Sequence, residues 1–295
     1  MTSTINQEFI HAAQTNQFDE IKNLLDLGAD IHADGDWALR LSAPAGRLEI
    51  VKILIEHGAN VQASNDEALR WSAYFGQPET VKFLIANGAN IHADNNEALR
   101  SSSTKGYLDI VKLLVTHGAN VHAKNDEALK KSVQNGHLEV VKFLLTQGAD
   151  IHADKDDALR AAAFRGHFEI VKILIEHGAN IHANNDEALL EAACDGHLET
   201  VKILVTKGAN IHANNDVALR LAANYGKLEV VKFLLTQGAN IHANNDEVLK
   251  SDARYGYHDV WQVLSAFIKE EKLVNDQNVK IIKKMTCKIK HYLKI

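Results

Sequence analysis

DEALRWSAYFGQPETVKFLIANGANIHADN, residues 66–95, reads as two helices and a crossing. Asp66 stands where an N-cap belongs, ahead of the helix-favouring run Glu67-Ala68-Leu69-Arg70, its carboxylate placed to accept from the first exposed amides. That helix is expected to end near Gly76. Pro78 is tolerated in the first turn of a second helix, predicted to run to about Asn87, where Val81, Leu84 and Ile85 are spaced for one apolar stripe. Gly88 supplies a left-handed stop. The remainder, GANIHADN, reads as an extended crossing to the next unit, with Ile91 inward and the Asn/Asp cluster at a turn.

The same text recurs outward in both directions. A glycine-alanine step falls at Gly28, Gly58, Gly88, Gly118, Gly148, Gly178, Gly208 and Gly238, a period of 30 residues. A fixed period of this size marks a solenoid, because each unit buries its apolar face only against its neighbours. The expected fold is therefore an all-α repeat stack of about nine helix pairs. Residues 1–5 are a short extension, units start near 6, 36, 66, 96, 126, 156, 186, 216 and 246, and 276–295 form a tail. The end units depart from the pattern as solvent-facing caps should. Asn16 replaces the mid-unit glycine and Glu20 an apolar residue in the first, while His258, Ser265 and Ile268 break the apolar and glycine columns in the last.

Nearly half of the residues are hydrophobic and a quarter charged, and no apolar run approaches the ~18 residues of a membrane span. The N-terminal MTSTINQEF lacks a basic region followed by an apolar stretch. Cys194 and Cys287 form no repeated framework, so the expectation is an intracellular, cytoplasmic and reducing setting. Net charge is −6, but residues 269–295 hold eight lysines against three acids, a local +5 that leaves −11 for the rest.

The run GRLEIVKILIEHGANV from Gly46 and GHLEVVKFLLTQGADI from Gly136 resembles the ankyrin repeat, and the likeness extends over residues 6–275. Two departures accompany it. The family's 33-residue period is shortened to 30, with the loss between the GAN segment and helix one, so the projecting hairpin loops should be short. The family's TPLH opening is replaced by EALR, which removes the threonine cap and the proline. The uniform unit with GANIHA and NDEALR is similar to ankyrin proteins that giant DNA viruses of amoebae encode in many copies, which implies a host protein as partner.

Recurring positions are explained by stacking, so function belongs to positions that vary between units. Three vary most, at spacing i, i+3, i+4 in helix one, which makes them neighbours on one helical face. The resemblance implies that this face lines a concave groove used for partner recognition. Along the stack it reads as an aromatic cluster at Trp71, Tyr74 and Phe75. A basic and polar centre follows at Lys105, Lys131, Gln134 and Asn135, then a mixed end at Phe164, Arg165, Tyr225, Arg254 and Tyr255. Aromatics and arginine make good anchors. The alternative is that Trp71 and Phe75 merely fill space between repeats.

Other columns invite chemistry that the spacing argues against. Arg40, Arg70, Arg100, Lys130, Arg160, Arg220 and Lys250, broken by Leu190, form a basic ladder. Asp66 and Glu67 precede Arg70 by four and three residues, however, which favours a local ion pair, and the acidic array would repel a polyanion. Nucleic acid is not the expected partner. Histidines at 32, 92, 122, 152, 182, 212 and 242 are about 10 Å apart between units, too far to share one metal, and read as parts of the inter-repeat turns. His57, His117 and His177 sit at helix ends, where histidine is favoured. No base, orienting acid and oxyanion element converge, so no catalysis, cofactor or small-molecule substrate is expected.

In the tail, Val279, Ile282, Met285, Ile289 and Tyr292 alternate with lysines as a basic amphipathic helix does. It is suited to cap the last repeat near Trp261 and Phe267, or to meet an anionic membrane or a second partner. The reading is a monomeric, non-catalytic scaffold that binds a protein through the variable helix-one face. An adaptor acting through the tail stands as the alternative.

Overall fold

The computed structural model describes residues 4–250 and 257–273, and among these the chain is helical with no strand. It forms two compact units, one of residues up to 162 with 169–180, the other of 163–168 with those from 181 onward.

In the first unit helix pairs follow one another: Thr4–Gln14 with Phe18–Asp26, Ala33–Ser42 with Leu48–Glu56, Ala63–Tyr74 with Pro78–Ala86, Ala93–Lys105 with Leu108–Thr116, and Ala123–Gln134 with Leu138–Thr146. Each first helix packs on its own second helix and on the first helix of the adjoining pairs. Small residues allow the close approach. Ala68, Ser72 and Ala73 are buried on one side of helix one, and Leu69 fills the space beside them. From the second helix Val81 and Leu84 complete the layer, as Val111 with Leu114 and Val141 with Leu144 do in the next units. Pro78 is the first residue of its helix, where its missing amide costs nothing.

The second unit repeats the scheme with Ala183–Asp195 and Leu198–Thr206, then Ala213–Asn224 and Leu228–Thr236. Its last repeat differs. After Ala243–Asp246 and a 3-10 turn at Glu247–Lys250, a helix spans 258–273, whereas other second helices such as Leu228–Thr236 stop after 9 residues. Ile268 stands where the others have glycine, so the left-handed stop is lost and the helix runs on.

The crossing is not extended as the sequence reading expected. In the unit above, Ser64, Asn65 and Asp66 have φ of 52°, 59° and 57°, so three successive residues form a left-handed turn and the right-handed helix begins only at Glu67. The same triplet recurs from Asp34–Asp36 to Asn244–Asp246. A left-handed conformation costs roughly 1–2 kcal/mol for most residues and is relieved in Asn and Asp, whose short side chains bond locally. That is why these positions are written almost entirely in Asn, Asp and one glycine, Gly35. The shortened loops are thus left-handed turns rather than small hairpins.

Candidate functional site

The turn residue assigned as an N-cap has another task. Asp66 Oδ1 accepts from the backbone amide of Asn90, 2.6 Å away in the next repeat. Equivalent bonds join Asp36 to Asn60, Asn96 to Asn120, Asp126 to Asp150 and Asp156 to Asn180 in the first unit, and Asp186 to Asn210 and Asp216 to Asn240 in the second. Asn6 serves the first repeat by accepting from Asp30. The acceptors from Asp36 to Asp216 are buried, and most take a second bond from histidine: Nδ1 of His32, His122, His152, His182 and His212 lies 2.9–3.1 Å from the aspartate four residues on. The histidine column is therefore spent on the stack. Asp66 has Gln62 in place of that histidine. Burial pushes its carboxyl above the usual aspartate range, partly offset by the Asn90 amide and by Arg70. Among the described residues no group of three metal-ligating side chains gathers.

The basic ladder is also tied into the scaffold, mostly between repeats, while Arg160 makes the expected local pair with Asp157 three residues before it. Arg40 bonds Glu67 at 2.6 Å, Arg70 bonds Glu97, and Arg100 bonds Glu127 at 2.7 Å, each reaching 27 residues on into the next repeat. Arg220 does the same with Glu247. The expected pairing of Arg70 with Glu67 is corrected: Glu67 is taken by the arginine of the preceding repeat. Lys130 instead holds Asp154, keeping that carboxyl below its usual range.

On the variable face the structure brings four predicted residues together in the first unit. Trp71 and Phe75 stack with centroids 5.8 Å apart and planes 26° from parallel. Tyr74 meets both edge-on, at 5.4 Å from Trp71 and 5.0 Å from Phe75. The Lys105 ammonium lies 4.5 Å from the centre of the Tyr74 ring, contributed by the next first helix. Trp71 is 41 % and Phe75 52 % exposed, so these rings do not fill the space between repeats; that space is held by Ser72 and Ala73. Lys131 and Gln134 stand together one repeat further, with Lys131 Nζ donating to Gln134 Oε1 at 3.2 Å.

Sequence reasoning missed Tyr107. Its ring covers Gly76, the residue after Phe75, so closely that a Cβ at Gly76 would stand 2.7 Å from it, and it is itself 37 % exposed. The signal was present: residues after the mid-unit glycine overhang the previous repeat, and His137 donates from Nε2 to Thr104 O at 2.9 Å from the corresponding place. In the second unit Phe164 carries the Arg165 guanidinium 5.5 Å from its ring centre, and Tyr225 is exposed. Arg254, Tyr255 and the lysine-rich tail lie outside the described residues. Cys194 is a free thiol raised above its ordinary value by burial and by Asp195 and Glu191. No helix among the described residues is long and apolar enough to cross a membrane.

A family model described as ankyrin repeats (3 copies) matches the chain in overlapping stretches, residues 9–95, 69–155, 129–215, 159–245 and 189–278. Among curated proteins no relative matches it.

Proposed function

The chain belongs to the ankyrin-repeat family, a family of generally non-catalytic scaffolds that typically bind proteins, and from that premise we propose that it binds a protein partner through the variable helix-one face. The observation that carries this reading is the exposed ring cluster of Trp71, Tyr74 and Phe75, fixed by mutual stacking on a scaffold whose recurring side chains are otherwise spent on holding the repeats together. Rigid exposed aromatics bind with little loss of conformational freedom and are frequent anchors in interfaces. Lys105, Lys131, Gln134 and Tyr107 extend the same surface in the first unit, and Phe164, Arg165 and Tyr225 offer a separate one in the second. The uniform 30-residue unit, similar to viral ankyrin proteins, supports a host-cell protein as the partner.

Affinity capture with mass spectrometry tests this, comparing wild type with a Trp71→Ala, Tyr74→Ala, Phe75→Ala variant shown by circular dichroism to stay folded. A partner captured by wild type and lost from the variant is the expected result. Unchanged capture would make the aromatic face structural.

A further inference from the structure

We infer that the first unit's helix-one face takes an acidic extended segment bearing a bulky apolar side chain, an inference that rests on the interaction reading above and gives the partner its chemistry. The three variable columns from Leu41 to Asn135 hold Lys105 and Lys131 and no carboxylate. In the second unit the same columns hold Glu191 and Asp195 beside Arg165. The glutamates of these first helices, Glu67, Glu97 and Glu127, are neutralised by Arg40, Arg70 and Arg100, and the buried turn residues Asp36, Asp66 and Asp126 are held by backbone amides of the next repeat. Lys105 contacts a ring and Lys131 an amide, so neither charge is met by a carboxylate among the described residues.

A chain of net charge −6 thus presents a locally positive strip that begins at an aromatic platform. Unmatched charge of one sign at an exposed face selects a partner of the other sign. The order along the stack gives the register. Lys105 adjoins the ring cluster directly, and Lys131 lies one repeat beyond, about 10 Å further for stacked helices. An extended chain covers that distance in about three residues. The segment therefore carries an aromatic or large aliphatic residue over Trp71 and Phe75, a carboxylate near it for Lys105, and a second carboxylate about three residues further for Lys131.

The full chain, immobilised, is used to select from a random twelve-residue peptide phage library. Enriched peptides are synthesised with a fluorescent label and titrated by polarisation against wild type, a Lys105→Glu, Lys131→Glu variant, a Trp71→Ala, Phe75→Ala variant, and Lys82→Glu as a charge control on the second helix. The expected result is enrichment of peptides combining Trp, Phe or Leu with Asp or Glu. Their binding should weaken about tenfold or more in the lysine and aromatic variants, hold in the control, and fall with added salt. Enrichment of neutral or basic peptides, of none, or of acidic peptides indifferent to the lysine reversal overturns the inference. Peptides lost in the aromatic variant yet kept in the lysine variant overturn the acidic chemistry alone. Peptides indifferent to both variants remove the interaction reading as well.

Discussion

The Asp66 carboxylate accepts the Asn90 backbone amide at 2.6 Å, linking the left-handed turn of one repeat to the loop of the next. Asn96 makes the same bond to Asn120 at 2.8 Å with an uncharged amide, so the ladder needs the acceptor oxygen rather than the charge. Asp66→Ala is expected to lose about 1.5–3 kcal/mol of stability, the range for a hydrogen bond to a charged group. Asp66→Asn should keep the bond. Because the folded carboxyl titrates above its ordinary value of 3.8, its contribution is present below that pH and is lost as pH rises through the raised folded value. Urea melts from pH 3 to 7 should show Asp66→Asn gaining on wild type across that window. A pH-independent difference would refute the burial argument.

In the last repeat, His242 bonds Asp246 at 2.6 Å and faces Glu271 of the last described helix at 3.4 Å. The Asp246 bond, with added attraction from both carboxylates, raises its ordinary value of 6.5. Its support for the 258–273 helix is therefore complete below 6.5 and fades as pH rises through the higher folded value. Hydrogen exchange of that helix should quicken with pH beyond the intrinsic rate in wild type, and His242→Gln should abolish the excess.

Ser42 and Ser72 bury hydroxyls with no hydrogen-bond partner, whereas the same column holds Ala162, Ala192 and Ala222. Ser42→Ala and Ser72→Ala should each stabilise the fold by about 1 kcal/mol, since an unsatisfied buried hydroxyl is costly and alanine is the better helix former. Ser102, whose hydroxyl bonds Ala98 O at 2.8 Å, should gain less. Chemical denaturation midpoints rank the three.

Lys155 occupies the middle of a left-handed triplet at φ 62°, a place taken by Asn in most repeats and by Gly35 in one. Lys155→Gly should stabilise by about 0.5–1 kcal/mol, and Gly35→Ala should destabilise by about as much. At Gly35 a Cβ meets only Arg40, at 4.0 Å, so the backbone conformation rather than crowding sets the cost.

A double-mutant cycle on Arg70 with Glu97 should give a coupling of about 0.5–1 kcal/mol, as partly exposed ion pairs do, and a cycle on Arg70 with Glu67 should give close to zero. Reversal of the two values would restore the local pairing that the sequence suggested.

The repeat, its two helices and their glycine stops were legible because each depends on neighbours within one unit: Pro78 opens a helix and Gly88 follows one whatever lies elsewhere. The aromatic cluster was legible for the same reason, since Trp71, Tyr74 and Phe75 share a face of one helix. The left-handed turn was not, because three successive non-glycine residues in that conformation are improbable until their side chains find partners. Tyr107 was passed over because its place on the surface follows from Gly76 in the previous repeat.

The sequence by itself determined the all-helical repeat and its period, since these follow from local propensity and the spacing of apolar residues. Only the tertiary structure decided where the polar side chains spend their bonds. Asp66 looks a repeat ahead to Asn90, and Arg70 to Glu97, over distances of 24 and 27 residues along the chain. Stacking brings those groups together, and no local rule of helix capping or i, i+4 pairing contains that information.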